Sequence, residues 1–385
     1  MIVVLSDYDS RIKWGLTLGR AICDNLKLSE EELHLYYKAA DNEIFQLYDI
    51  ENSNKFLYTN LLTLVTNEFL LKVDILILAI GGPDNLRVLS KCNTLENRPI
   101  CITGFNGVID PQDPHGLLCR YGADYICVNS EVDLKKSQEI LKKLCLDYSN
   151  LVCTGYLRKK FIKNTLHAQK PMWLFVEQIG IPNTLSRMVY LFNALVDLAL
   201  RNPQVEVVVK SRTQNGISNV NSNKSREIDL QDIWNVYKSK IPKNLSINDS
   251  CSIEKLVSEA ELCIAFSSTV LLEALFLKKN IAVLNDFGID KKIGNYVFLG
   301  SGALVNSYQI NNGYTCDINA QWLEQNCIFN RLDVFLNRLE IQFSSKTQLG
   351  SMSLYYSDSN TPFFYKKVKI SWFVKVILRI KKCLS

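Results

Sequence analysis

Ser267, Ser268 and Thr269 stand between an apolar run, Leu262–Phe266, and a stretch, Val270–Leu277, whose apolar residues recur at helical spacing. Three hydroxyls at a strand-to-helix turn suit an anion, because the first N–H groups of a helix lack internal partners and the dipole is positive there. The plainer reading is that Ser268 or Thr269 only caps the helix. Lys210 closes the run Val205–Lys210 and would supply a point charge to phosphate; the plainer reading is a solvated surface lysine. Glu177 and Gln178 close Met172–Glu177, and Asp286 follows Ile281–Leu284. Arg212 and Glu273 complete the set assigned to a phosphate-bearing donor.

A second set lies near the start of the chain. Asp7 and Asp9 directly follow the run Ile2–Ser6, where a carboxylate could take a proton from an attacking hydroxyl. The alternative is that Asp9 or Ser10 caps the following helix. Gly104, His115 and Arg120 flank a Pro/Gly-rich loop and could touch an acceptor or phosphate; a loop histidine without catalytic duty is the alternative.

The elements that must place these residues alternate. Short apolar runs at 2–6, 33–37, 73–80, 99–103 and 124–128 predict strands, with helices expected near 12–26, 60–71, 86–91, 117–120 and 133–145. Residues 148–170 change character, and the linker is placed at 156–170, where Lys159, Lys160, Lys163 and Lys170 crowd. The pattern then restarts, with strands at 172–177, 205–210, 245–247, 262–266 and 281–284. Strands separated by helices and short Gly-containing loops mean parallel α/β sheets. The expected division is 1–155 as an acceptor-side domain, 171–345 as a nucleotide-binding domain, and 346–385 as a connection with a basic amphipathic helix. Two such domains face each other across a cleft, with ligands at the carboxyl ends of the strands.

Composition narrows the function classes. The chain has 385 residues, 47% hydrophobic and 22% charged, as in a globular protein. Its first residues lack a basic n-region, and no run reaches the roughly 18 apolar residues of a membrane span. Twelve cysteines are scattered without a CxxC pair and only three histidines occur, so a metal site is not expected and a reducing cytoplasm is. Net charge is +5, yet residues 361–385 alone carry seven Lys or Arg and no acid. The near-neutral body argues against nucleic acid. The basic stripe Lys375, Arg379 and Lys382 opposite Trp372, Phe373, Val376, Ile377 and Ile380 could lie on an anionic membrane through 366–385, or pack back on the first domain.

These residues resemble the GT-B glycosyltransferase superfamily, and within it a bacterial family found with surface-polysaccharide genes. The likeness rests on DYDSRIKWG at 7–15, ITGFNGVI at 102–109, GLLCRYGADYICVNS at 116–130, VEQIGIP at 176–182, VVVKSR at 207–212, the SST turn, LNDFGI and NYVFLGSG at 295–302. The resemblance implies metal-independent transfer from a nucleotide-sugar in the second domain to a glycan or lipid-linked glycan acceptor in the first. It also implies a paired-serine donor turn, matched by Ser267-Ser268, and a first-domain carboxylate base, Asp9 with Asp7 in reserve. Related sialyl- and Kdo-type enzymes carry a His-Pro pair where this chain has Lys210-Ser211, a departure that bears on the donor. The implied site of action is the cytoplasmic face of the membrane. A sugar-nucleotide 2-epimerase of the same architecture and a catalytically silent GT-B-like scaffold are the alternatives.

Overall fold

Runs such as Ile2–Ser6, Ile75–Ala79 and Ile100–Gly104 have no polar alternation, so they can only be strands covered on both faces. The computed structural model describes residues 1–38, 54–105, 107, 114–158, 170–178, 180–211, 213–214, 217–218, 230–248, 251–312, 317–345 and 349–356. Its first sheet has seven parallel strands in the order β3-β2-β1-β4-β5-β6-β7. These are β1 (Ile2–Ser6), β2 (Leu33–Tyr37), β3 (Lys55–Leu57), β4 (Ile75–Ala79), β5 (Ile100–Gly104), β6 (Tyr125–Val128) and β7 (Leu151–Cys153). The edge strands β3 (three residues) and β7 (three residues) were not expected from sequence; β7 falls in 148–170, the stretch that changes character. The helix expected over 60–71 is instead two single turns, Leu61–Leu64 and Asn67–Leu70, each begun by its own side-chain cap, Asn60 and Thr66.

The second sheet has six strands in the order β12-β9-β8-β13-β14-β15. They are β8 (Met172–Val176), β9 (Glu206–Lys210), β12 (Leu245–Ile247), β13 (Leu262–Ala265), β14 (Asn280–Leu284) and β15 (Leu304–Val305); a two-residue hairpin, β10 (Thr213–Gln214) and β11 (Ile217–Ser218), stands apart. Both sheets therefore reverse their order beside their first strand, between β1 and β4 and between β8 and β13. At such points the connections leave in opposite directions and open a crevice.

The helices used below are α1 (Asp9–Leu26), α2 (Gly82–Cys92), α3 (Glu131–Lys143), α4 (Leu185–Arg201), α5 (Ile253–Glu259), α6 (Val270–Phe276) and α7 (Asp333–Ser344). Helix α1 lies close on the first sheet: a Cβ on Gly15 would stand 2.5 Å from Val4 Cγ1. Each sheet is covered on both faces by apolar layers, with Leu5, Leu76 and Ile126 on one face of the first and Val4, Ile77 and Ile102 on the other. Burying each such side chain contributes about 1.5–3 kcal/mol.

The chain crosses between the halves twice, and the crossings run side by side. Tyr156 pairs in parallel with Phe329; Tyr156 N–H donates to Ile328 O at 2.7 Å and Arg331 N–H to Thr154 O at 2.8 Å. Asn330 locks the pair, its side chain accepting from Arg158 N–H at 2.9 Å and donating to Arg158 O at 2.8 Å. After the return, α7 packs on the first sheet through Leu332, Phe335 and Leu339, with Phe335 edge-on to Tyr125. Met352 and Tyr356 join the opposite layer. The segment assigned by sequence to a second domain ending at 345 thus gives its last helix to the first half, whose core Phe335 and Leu339 join. The lysines at 159, 160 and 163, Arg212 and the tail 366–385 lie outside the described residues. Among those described, no helix is long and apolar enough to cross a membrane.

Candidate functional site

In the first half, the crevice between β1 and β4 is bridged by Asp7. Its Oδ2 accepts the Gly81 N–H at 3.2 Å and Arg11 Nη1 at 2.5 Å; Arg11 sits one turn later on α1. Oδ1 is buried, and among the described residues no donor reaches it. Beside it Tyr58 donates to Ser6 O at 3.1 Å, and burial together with the Asp7 carboxylate pushes its phenol well above the usual range. Asp9 is the first residue of α1 and only half-buried; the cap position belongs to Tyr8, whose side chain makes no capping bond. The alternative reading of Asp9 or Ser10 as the cap is therefore not the one the fold uses.

Arg120 and Gly104 meet, but not in the manner expected. Arg120 is 6% exposed, and its guanidinium donates to Gly104 O at 3.0 Å, Gly116 O at 2.8 Å and Ile80 O at 3.1 Å while lying 4.5 Å over Phe105. These donors tie the ends of β4 and β5 together. Buried Asn85 adds to the tie, donating to Ile80 O and Gly81 O and accepting Thr103 Oγ1 at 2.7 Å. Nothing in the spacing of Asn85 or Thr103 announced this. Arg11 could have been found, since a base in the first turn of a helix, four residues after an acid that precedes it, is a readable signal. His115 is fixed by the returning chain, Nδ1 lying 2.7 Å from Tyr356 Oη and Nε2 3.5 Å from Cys119 Sγ.

In the second half the equivalent crevice is bridged by Gln178. Its Oε1 accepts the Ser267 N–H at 2.6 Å, and its Nε2 donates to Ser267 Oγ at 3.0 Å. Each sheet thus uses one side-chain oxygen from just past its first strand to hold an N–H from just past the strand across the crevice. Ser267 Oγ also donates to Ile293 O. Ser268 is buried and its hydroxyl accepts Val270 N–H at 3.3 Å, while Thr269 occupies the cap position without a side-chain capping bond. Helix α6 has only seven residues, so its dipole adds little to any anion binding.

Lys210 and Glu177 lie beside this crevice, since Val176 pairs with Lys210 in the sheet. The Lys210 ammonium donates to Cys251 O at 2.7 Å, and Glu177, 1% exposed, accepts Ser211 Oγ at 3.1 Å. Asp286 is drawn away to the start of the 307–311 helix, accepting Ser307 N–H and Oγ at 3.1 and 2.6 Å and Tyr190 Oη at 3.0 Å. Glu273 turns to the crossing, 3.5 Å from Arg158. The structure therefore places Glu177, Lys210, Ser267 and Ser268 at the ends of three adjacent strands, β8, β9 and β13, and directs the interactions just given for Glu273 and Asp286 elsewhere. Among the described residues no group of His, Cys, Asp and Glu could hold a metal.

The model of a family described as "Putative glycosyltransferase (DUF6716)" matches residues 2–340, the span that holds both sheets and both crossings. The chain belongs to that glycosyltransferase family. Solved structures similar to this family member share its two-sheet, GT-B-like architecture at low identity. A UDP co-structure of MnaA from S. aureus aligns over 92% of this chain and 100% of that one, at 12% identity and a TM-score of 0.59. UDP-GlcNAc 2-epimerase from Methanocaldococcus jannaschii, in complex with UDP-GlcNAc and UDP, aligns over 89% and 100% at 12% identity and 0.57. The Neisseria meningitidis UDP-GlcNAc 2-epimerase bound to UDP-GlcNAc aligns over 90% and 100% at 12% and 0.53. No curated protein matches this glycosyltransferase-family chain in sequence.

Proposed function

We propose that this protein transfers a sugar from a nucleotide-sugar donor, held in the second half, to a growing cell-surface glycan entering from the first. The observation that carries the reading is the Gln178–Ser267 crevice beside Lys210 and Glu177, where the oxygen of a neutral carboxamide occupies the Ser267 N–H, a donor suited to a phosphate oxygen. A donor diphosphate would displace the amide oxygen, take the Ser267 N–H, and draw the Lys210 ammonium from the Cys251 carbonyl. In the transfer, the acceptor oxygen forms a bond to the anomeric carbon as the bond to the phosphate oxygen breaks. The nucleotide leaves with that electron pair, and the acceptor proton passes to a first-half carboxylate. Asp9, half-exposed at the start of α1, is the proposed base; Asp7, engaged by Arg11 and Gly81, is the reserve. The scheme uses no metal.

The measurement that tests the donor is a thermal-shift panel of UDP-, GDP-, dTDP- and CMP-sugars, since a bound donor raises Tm by mass action. A panel without any shift sinks the reading. The 2-epimerase alternative draws on the architecture of the similar structures, and incubating a bound donor without acceptor would reveal it as an epimerised sugar. The tail is proposed to hold the protein to the inner face of the cytoplasmic membrane, close to a lipid-linked acceptor.

A further inference from the structure

The two halves meet through more than their paired crossings. Lys13 on α1 forms an ion pair with Glu254 in the first turn of α5, with side-chain exposures of 24% and 10%. Helix α1 belongs to the first sheet through Ile12, Leu16 and Ile22, and α5 to the second through Leu256 and Val257. Both helices begin at the carboxyl ends of their sheets, α1 after β1 and α5 after β12, so the pair joins the two crevice-bearing rims directly. The crossings carry charges of their own, but these act locally: Arg158 pairs with Glu273 of the second half, and Arg331 with Glu131 on α3 of the first.

We propose that Lys13 and Glu254 are a latch that sets the angle between the halves, with the laced crossings as the hinge. Two crossings at one place leave a bending freedom that no contact inside either sheet opposes, and interfaces within a chain of this kind move by default. A charge pair spanning the rims removes that freedom in one orientation. Its position also matters. Lys13 lies one turn beyond Asp9 on α1, and Glu254 lies three residues beyond Cys251, whose carbonyl holds Lys210. Withdrawing Lys210 toward an anion would remove one of the bonds on Cys251, leaving its N–H on Asn248 Oδ1 at 2.9 Å, and so loosen the approach to Glu254. The latch itself does not depend on the sugar-transfer reading; only this coupling does.

The test needs no ligand. Small-angle scattering of the full chain at low and high salt reads the separation of the halves. The wild type is expected to expand as salt screens the pair. Lys13→Glu and Glu254→Lys should each be expanded already at low salt, with the closed population falling about two- to fivefold. The double variant, with the charges exchanged, should regain the wild-type radius. Single reversals that keep the wild-type radius overturn the latch, as does a double reversal that melts normally yet stays expanded. If a single reversal fails to fold, the double variant alone decides, by recovering or not recovering both Tm and radius. A failed nucleotide panel with these radii as expected would sink the transfer reading and leave the latch standing.

Discussion

Asp7 and Asp9 are two residues apart and face different obligations. Asp7 is committed to Gly81 and Arg11, so Asp7→Asn should loosen the crevice and cost about 1–3 kcal/mol in urea unfolding. Asp9→Asn should leave donor affinity unchanged while turnover falls about 100-fold or more. Near-normal turnover in the Asp9 variant would remove it as the base. Arg120→Lys should cost about 2–4 kcal/mol, because an ammonium cannot reach the carbonyls of Gly104, Gly116 and Ile80 together. The thiols separate in the same way. Burial pushes Cys127, Cys263 and Cys327 up to about 12, so they stay protonated at neutral pH, whereas Cys145 is exposed. Iodoacetamide followed by mass spectrometry should find Cys145 alkylated well before those three. The sequence showed which strand ends carry acids, hydroxyls and a lysine. It did not show where they point: the partners of Arg120 come from three separate stretches of chain, and Asp286 is claimed by Tyr190 and Ser307, both distant in sequence.

At the scale of elements, long apolar runs were legible because a strand buried on both faces has almost no other way to exist in water. Strands β3 and β7 were not, since each takes its place from the neighbour it pairs with and not from its own three residues. The crossings were equally hidden. Gly155 has φ +72°, and a Cβ there would stand 2.7 Å from Ile328 O of the returning chain. Gly155→Ala should therefore cost about 1–3 kcal/mol from the backbone conformation alone, with more from the contact, seen as a lower urea midpoint. An unchanged midpoint would mean that the crossings can part without loss.

For the whole molecule, the body is near neutral and the basic excess is concentrated in residues 361–385. Flotation with anionic vesicles should carry the full chain and leave behind a chain ending at 360, with salt abolishing the difference; equal behaviour would argue against a membrane role for the tail. The path of the backbone bears on how the protein is made. The first sheet has its seventh strand by Cys153, yet Phe335 and Leu339 of α7, which cover one of its faces, and Met352 and Tyr356, which cover the other, follow the entire second half. On a ribosome the earlier half must wait, partly uncovered, while the later one is synthesised and folds. The second half behaves as an insert that can finish first. A fragment ending at 158 should consequently aggregate, and joining it by a short linker to 328–356 should keep it in solution.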